Sequence, residues 1–255
     1  MNNFTYQQVT RVDEAISEKQ VRGAFIAGGT NLLDLMKENV VKPDHLIDIN
    51  HIDSLGSIVE LPDGSVRLGA TVTNADTAWH PVIESGFPLL SKAILSGASP
   101  QLRNMATNGG NLMQRTRCYY FYDNATPCNK RDPGSGCSAL YGYSRIHAVL
   151  GVSDHCIATH PSDFCVALAA LDAIVEVKGE RGEREIAFED FHRLPGDNPS
   201  IDNTLNPGEL ITGIRIPANS FAKHHSYLKI RDRTSFAFAL VSVATAFEMD
   251  GDTIA

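Results

Sequence analysis

The feature that most constrains this chain is a pair of glycines between a buried strand and a helix. Gly23-Ala24-Phe25-Ile26-Ala27 has the small and apolar residues of a buried strand, and residues 32–37 carry apolar side chains at helical spacing. Gly28-Gly29-Thr30-Asn31 lies between them. A strand, a glycine turn and a helix in this order predict a small α/β lobe, which a second strand at residues 45–49 extends.

Such a turn directs backbone N–H groups at one point, where a diphosphate is a common ligand. Glycine is needed there because a Cβ would hold the phosphate away, and Thr30 and Asn31 add side-chain donors. The segment lacks the G-x-G-x-x-G spacing of a dinucleotide fingerprint, so a purely structural role stays open.

A second glycine turn is predicted at Thr107-Asn108-Gly109-Gly110-Asn111. Two such turns suit a long ligand with two phosphates, and two ordinary tight turns are the alternative. Helices are predicted at residues 88–97 and 162–172, and strands at 65–73 and 173–177, while residues 207–211 and 214–217 are expected to close this lobe. The strand patterns beyond residue 219 predict the start of a further unit.

Cys118, Cys128, Cys137 and Cys156 lie in one stretch that has little regular periodicity. They lack the Cys-x-x-Cys pairs of zinc ribbons, and loose spacing suits a [4Fe-4S] cluster at least as well as zinc. Flanking histidines keep a zinc site of Cys and His ligands open; these are His147, His155 and His160. Cys165, in an apolar helical segment, is interpreted as a packing thiol.

Charge and hydropathy exclude several classes of protein. A net charge of -8 disfavours a nucleic-acid partner, and no apolar run approaches the roughly 20 residues of a membrane span. The first residues lack the basic patch and apolar stretch of a signal peptide, which predicts assembly in the cytoplasm. Export of the folded complex to the periplasm on a partner's signal is the alternative.

Five motifs, in this order and at these intervals, resemble the FAD-binding medium subunit of molybdenum hydroxylases, the family of xanthine and aldehyde dehydrogenases. The motifs are Ala27-Gly28-Gly29-Thr30-Asn31-Leu32-Leu33, Arg103-Asn104-Met105-Ala106-Thr107 with Gly109-Gly110-Asn111-Leu112, His160-Pro161-Ser162-Asp163, Gly208-Glu209-Leu210-Ile211 and Tyr227-Leu228-Lys229. Arg117-Cys118-Tyr119-Tyr120 and the later cysteines resemble the branch with its own [4Fe-4S] cluster, which includes hydroxybenzoyl-CoA reductase and bacterial aldehyde oxidoreductases.

The resemblance implies an α+β fold with α/β lobes, the FAD-binding fold of the vanillyl-alcohol oxidase or PCMH type. It places a first lobe at residues 1–54 and a second at 55–218, with the iron–sulfur insertion at about 112–160. Residues 219–255 would begin a C-terminal α+β domain, which we expect to be incomplete because relatives continue further.

The resemblance also implies the site residues. The cofactor-binding set is Phe25, Ile26, Ala27, Gly28, Gly29, Thr30, Asn31, Leu32, Thr107, Gly110, Asn111, Met113, Asp163, Ile211 and Lys229. Asp163 and Lys229 would lie near the flavin, where a fixed charge biases the reduced anion. The metal ligands would be Cys118, Cys128, Cys137 and Cys156, and no residue would be catalytic toward the organic substrate.

The implied function is electron transfer through FAD and a [4Fe-4S] cluster. A molybdenum-cofactor large subunit and a [2Fe-2S] small subunit would deliver electrons, and an external acceptor would receive them. A stand-alone flavin oxidase or dehydrogenase of the same fold and a zinc-stapled, non-enzymatic binding module are the alternatives.

Overall fold

The computed structural model describes residues 1–19 and 22–254. Its strands are β1 (Thr5–Gln8), β2 (Gly23–Ile26), β3 (His45–Asp48), β4 (Ile58–Glu60), β5 (Val66–Gly69), β6 (Ile174–Gly179), β7 (Gly182–Ala187), β8 (Leu210–Ile216), β9 (His225–Ile230), β10 (Val241–Ala246), β11 (Met249–Asp250) and β12 (Thr253–Ile254). Its α-helices are α1 (Val12–Glu18), α2 (Leu32–Lys37), α3 (Asn74–Ala78), α4 (Pro81–Gly86), α5 (Pro88–Ser96), α6 (Pro100–Arg103), α7 (Asn108–Leu112), α8 (Tyr119–Tyr122), α9 (Asp163–Ala170) and α10 (Phe188–Phe191), and Asp53–Leu55 forms a 3-10 turn.

The first sheet is parallel, with the strand order β1-β3-β2. All four residues of β3 are buried, as expected for the central strand of a parallel sheet. The predicted elements β2, α2 and β3 are all present. Strand β1 was not predicted because its sequence, Thr5-Tyr6-Gln7-Gln8, is polar and mostly exposed at the sheet edge.

The second sheet is antiparallel, with the strand order β4-β5-β8-β6-β7. Helices α5 and α9 pack with it around the main apolar core. Helix α5 forms because Pro88 fixes its first turn and Leu90, Ala93 and Ile94 repeat at helical spacing on the buried side. The segments at 207–211 and 214–217, which were expected to close this lobe, both contribute residues to the single strand β8.

The second glycine motif is not a turn, contrary to the prediction. Asn108 to Leu112 form the short helix α7, and the Oγ1 atom of Thr107 accepts a hydrogen bond from the Gly110 N–H at 3.3 Å. A threonine at this position satisfies a backbone donor that the first helical turn leaves free. The glycines therefore belong to the start of a helix. The prediction of a turn was wrong because it did not include the N-terminal cap that Thr107 provides.

The stretch between α7 and α9, residues 113–162, contains α8 and two isolated β-bridges, Cys128 to Cys137 and Ser153 to Cys156. Hydrogen bonds from a cationic side chain to backbone carbonyls, instead of a strand ladder, stabilise this stretch. The Arg131 guanidinium donates to the carbonyl oxygens of Tyr120 and Phe121 at 2.7 and 2.9 Å. This segment also has its own apolar cluster, which consists of Leu35, Cys118, Phe121, Cys128 and Ala139.

Within residues 1–19 and 22–254, every helix is too short or too polar to cross a membrane.

The hairpin of β9 and β10 is attached to the second lobe through a buried ion pair. Lys229 Nζ lies 2.7 Å from Asp163 Oδ2, and the two side chains are 4% and 7% exposed. The Tyr227 hydroxyl donates to Asp163 Oδ1 at 2.6 Å, and Lys229 also donates to the Ser96 carbonyl at 3.0 Å. Desolvation, followed by the bond to Asp163, raises the pKa of Tyr227, so this donor stays protonated.

We predict that Lys229→Met lowers the free energy of unfolding by about 3 kcal/mol, because it leaves the Asp163 carboxylate buried without its counter-charge. Arg145→Met is the matched control, since its partner Asp232 and Arg145 itself are 59% and 49% exposed. The control should lose less than about 1 kcal/mol. Urea titrations of both variants measure the difference, and equal losses would contradict the assignment.

Candidate cofactor cleft and cysteine centre

A cleft of about 640 Å³ opens between the two lobes. The first lobe contributes the end of β2, the first glycine turn and the start of α2, while the second contributes α7, Met113 and Ile211. Backbone from two different sheets therefore faces one elongated space. A cleft of this size falls in the usual range for small-molecule and cofactor sites.

The first glycine turn brings the two lobes into direct contact. A Cβ at Gly28 would lie 1.7 Å from the Met105 carbonyl oxygen, so only glycine fits there. Gly29 has φ of 69°, a left-handed conformation in which a side chain is strained. These two constraints explain the glycine pair in physical terms, and the predicted approach of a phosphate to this backbone stays a prediction.

Basic side chains give the cleft a positive potential. Lys19, Arg22 and Lys42 line it, and Arg22 pairs with Asp44 at 3.1 Å. The acidic residue Glu209 also lines it, but hydrogen bonds from Arg184 lower the pKa of this carboxyl to about 2 and offset its charge. The cleft therefore suits an anionic group such as a diphosphate.

Most of the predicted cofactor-binding residues line the cleft: Phe25, Ile26, Ala27, Gly28, Gly29, Thr30, Asn31, Leu32, Thr107, Gly110, Met113 and Ile211. The sequence analysis missed Lys19, Arg22, Lys42 and Arg115. Their positions along the chain gave no motif, because only the folding of the first lobe and the insertion brings them to this space.

Three predicted residues do not line the cleft. The Asn111 side chain donates to Asn74 Oδ1 at 2.7 Å and accepts from Ser162 Oγ at 2.5 Å. Asp163 and Lys229 form the buried pair that attaches the β9–β10 hairpin. Cofactor contacts by Asn111, Asp163 and Lys229 stay predictions.

The first glycine turn is also bonded to the insertion. Asn31 Nδ2 donates to the Tyr122 hydroxyl at 3.2 Å, and Asn31 Oδ1 accepts from the Arg115 backbone N–H at 2.8 Å. The sequence analysis assigned Asn31 to the cofactor alone. The structure shows that its amide also connects the cleft to the segment that carries the cysteines.

The four clustered cysteines surround one small cavity within that segment. Cys118, Cys128 and Cys156 are buried, Cys137 is half-buried, and all are free thiols. Burial raises the pKa of Cys118 to about 11, and the neighbouring Cys128 and Cys137 raise it further. The thiols are thus close enough to influence one another's charge.

Nitrogen donors approach two of these sulfurs. His147 Nε2 lies 3.0 Å from Cys118 Sγ, and the Ala158 N–H donates to Cys156 Sγ at 3.4 Å. Such contacts stabilise thiolates that bind a metal or cluster. A set of soft sulfur donors with N–H groups nearby suits iron–sulfur or zinc chemistry.

The family model of the FAD binding domain in molybdopterin dehydrogenase matches residues 2–219. The chain belongs to this family. It is therefore an FAD-binding subunit of an oxidoreductase, and the predicted family and cofactor FAD are confirmed.

This FAD-binding subunit is similar to characterised relatives over nearly its whole length. It is 54% identical to the aldehyde oxidoreductase FAD-binding subunit PaoB of Escherichia coli K12, across 98% of this chain and 79% of PaoB. It is 26% identical to the glyceraldehyde dehydrogenase medium chain of Sulfolobus acidocaldarius, across 98% and 72% of the two chains.

Its structure resembles a carbon monoxide dehydrogenase from Hydrogenophaga pseudoflava that lacks the Mo-pyranopterin moiety of the molybdenum cofactor. The TM-score is 0.72 at 25% identity, covering 99% of this FAD-binding subunit and 72% of the other chain. The mixed α/β fold class predicted from the sequence is thereby confirmed.

The cleft fits FAD on the subunit's own geometry. Gly28 and Gly29 line the cleft without side chains, so their backbone is open to it, and Lys19, Arg22 and Lys42 supply positive charge. Residues of both lobes can therefore hold the diphosphate and keep the cofactor between them.

We predict that Gly29→Val reduces FAD affinity about tenfold, a loss of about 1.4 kcal/mol, because the strained backbone and the contact of the new Cβ with the Leu33 side chain would displace the turn that lines the cleft. Gly251→Val is the control, since Gly251 has φ of 59° and its Cβ would meet nothing within 4 Å. Flavin absorbance per chain after gel filtration measures the effect. Full flavin content in Gly29→Val would remove the first glycine turn from the binding site.

Proposed function

We propose that this chain is the FAD and iron–sulfur subunit of a molybdenum-dependent aldehyde oxidoreductase. The observation that carries the proposal is its 54% identity to the aldehyde oxidoreductase subunit PaoB across 98% of the chain. Electrons would arrive from a molybdenum-cofactor subunit and a [2Fe-2S] subunit and leave to an external acceptor. Bound FAD supplies the redox chemistry, since a flavin exchanges electrons one or two at a time.

The chain's own residues would bind and orient the cofactor. The glycine turn and Thr107 hold the cleft open at the phosphate end, and Met113 and Ile211 supply apolar surface. No side chain is required to act as an acid or base on the aldehyde, because that substrate would be oxidised in another subunit. The proposal therefore assigns this chain binding and electron transfer.

We further propose that Cys118, Cys128, Cys137 and Cys156 bind a [4Fe-4S] cluster. Each cysteine lies on its own part of the insertion, as one thiolate per iron requires. The cavity between them supports a shared metal centre, as does the contribution of Cys128 and Cys137 to the raised pKa of Cys118 and of Cys156. Binding would deprotonate all four thiols and so overcome the desolvation that now favours the neutral form.

The zinc alternative has less support at this place. Of the three histidines that could complete a zinc site, His147 contacts Cys118, whereas His160 lies beside Cys165 and His192. His155 Nε2 lies 4.0 Å from the Asp197 carboxylate. The cavity is lined by all four cysteines and by only one of these histidines, His155, which favours an all-sulfur ligand set.

The proposed limits of the lobes agree with the sheets. Strands β1 to β3 lie within residues 1–54, strands β4 to β8 lie within 55–218, and the hairpins from β9 onward lie beyond 218. The partner subunits, the acceptor and the cellular compartment stay predictions.

The decisive experiment is to purify the chain with and without its co-expressed partners and to add an aldehyde under anaerobic conditions. Bleaching of the flavin absorbance only in the complex supports an electron-transfer subunit. Bleaching by the isolated chain would support the stand-alone flavin dehydrogenase instead. A colourless protein without flavin would contradict both.

We predict that Cys128→Ser lowers the iron content from about four atoms per chain and leaves FAD bound, because the cluster would lose one thiolate ligand. Cys165→Ser is the matched control, a buried cysteine outside the cavity that should keep its iron. Metal analysis together with the visible spectrum measures both. Unchanged iron in Cys128→Ser would remove Cys128 from the ligand set, and zinc that is present in the wild type but lost in Cys128→Ser would replace the cluster by a zinc site.

A further inference from the structure

A second group of metal-binding side chains lies outside the cleft and the cysteine centre. His160, Cys165 and His192 each bring one ligand atom to within 4.8 Å of the others. Across residues 1–19 and 22–254, this is the one trio of His, Cys, Asp or Glu side chains that meets so closely. Neither the FAD site nor the proposed cluster uses these three residues.

The trio is assembled from separate parts of the second lobe. His160 precedes α9, Cys165 lies in its first turn, and His192 directly follows α10. The two imidazole rings lie tilted by 44° to each other, with their centroids 4.2 Å apart. Cys165 is 6% exposed, so the site is closed on the sulfur side.

A backbone oxygen completes the group. The Leu112 carbonyl at the end of α7 lies 3.3 Å from His160 Nε2 and 3.0 Å from His192 Nε2. Two donors at the usual zinc distances of about 2.0 to 2.1 Å, in tetrahedral arrangement, would be about 3.3 Å apart. The observed separations therefore match those of donors around one ion.

Both imidazoles are available as neutral ligands. Burial, with a smaller contribution from the neighbouring His192, lowers the pKa of His160 to about 3. Burial likewise lowers the pKa of His192. The His160 ring meets the backbones of Leu112 and Gln114, and a neutral imidazole has one N–H to donate, so one ring nitrogen keeps a lone pair.

We propose that His160, Cys165 and His192 bind a zinc ion, with the Leu112 carbonyl oxygen as the fourth donor. Binding would form three bonds to side chains and release the Cys165 thiol proton to solvent, leaving a thiolate on the metal. The ligand set is mixed and the fourth position is filled by protein, which is the arrangement of a structural site. The sequence predicts a packing role for Cys165 because this residue lies in an apolar helical segment, and no motif connects it with His192.

The proposed ion would stabilise the position of α7, which lines the cofactor cleft. Leu112 is the last residue of α7, and Met113, the next residue, lines the cofactor cleft. The same metal would tie α7 to the beginning of α9 and the end of α10. A rigid α7 holds Thr107 and Gly110 in place for the cofactor.

The competing explanation needs no metal. Each imidazole would donate its single N–H to the Leu112 carbonyl, whose two lone pairs can accept both. In that case Cys165 only fills space, and replacing it would change nothing that a metal probe detects. The two explanations differ in one measurable property, which is a metal-to-thiolate bond at Cys165.

The test uses Co²⁺ as the probe on the FAD-loaded full chain after removal of loosely bound metal with a chelator. The wild type should take up one Co²⁺ with a thiolate charge-transfer band in the near ultraviolet and tetrahedral bands in the visible. Cys165→Ala and His192→Gln should lose these bands. Cys128→Ser is the matched control, because it alters the other cysteine centre and should keep them.

A melting experiment covers the case in which His192→Gln fails to fold. Added Zn²⁺ should raise the melting temperature of the wild type and of Cys128→Ser, and it should leave Cys165→Ala unchanged. Co²⁺ bands of equal strength in the wild type and Cys165→Ala would overturn the proposal. A Zn²⁺-induced shift of equal size in those two proteins would also overturn it. Neither result depends on whether the other cysteines bind iron.

Discussion

The contact between Gly28 and the Met105 carbonyl is the constraint on which the rest of the structure depends. The two lobes meet there with no space for a single Cβ, which would lie 1.7 Å from that oxygen. This approach fixes the width of the cleft and brings the backbone of the first glycine turn opposite α7. The conformation of Gly29, with φ of 69°, then turns the chain into α2. The FAD site is therefore a property of the interface between lobes rather than of either lobe alone.

The insertion, residues 113–162, is stabilised by side-chain bonds to its backbone and by ion pairs. A segment with little regular structure must satisfy its backbone carbonyls without a sheet, and here arginine side chains do so. Arg131 serves Tyr120 and Phe121, while Arg115 stacks on the Phe121 ring at 4.7 Å and pairs with Asp202 at 2.5 Å. Burial alone would raise the pKa of Asp202, but Arg115 and Lys130 hold it below its ordinary value. Asp202 thus stays ionised and binds Arg115 and Lys130 of the segment that carries the cysteines.

Local signals predicted much of the fold from sequence. Apolar periodicity located α5 and α9, and the strand, glycine pair and helix located the first lobe, because neighbouring residues determine these elements. The edge strand β1 was missed since its polar sequence differs little from a loop. The second glycine motif was assigned to a turn, although Thr107 caps it as a helix.

The residues of the candidate site were also predicted only in part. Residues next to the glycine motifs were found, whereas Lys19, Arg22 and Lys42 depend on how the first lobe folds back on itself. The trio of His160, Cys165 and His192 shows the same limit, since only the packing of α7, α9 and α10 brings these side chains together. Sequence motifs reveal site residues that are adjacent along the chain, whereas the other site residues come together only in the tertiary structure.

The side chain of Asn31 has a consequence for how the protein matures. Its amide lines the cleft and at the same time bonds Tyr122 and the Arg115 backbone of the insertion. Ordering either region fixes this shared group, so the second region then loses less conformational entropy when it orders. Filling one centre and structuring the other are therefore reciprocal events, and the favourable coupling free energy is the same in whichever order they occur. A single amide would thereby make cofactor binding and the ordering of the insertion parts of one assembly process.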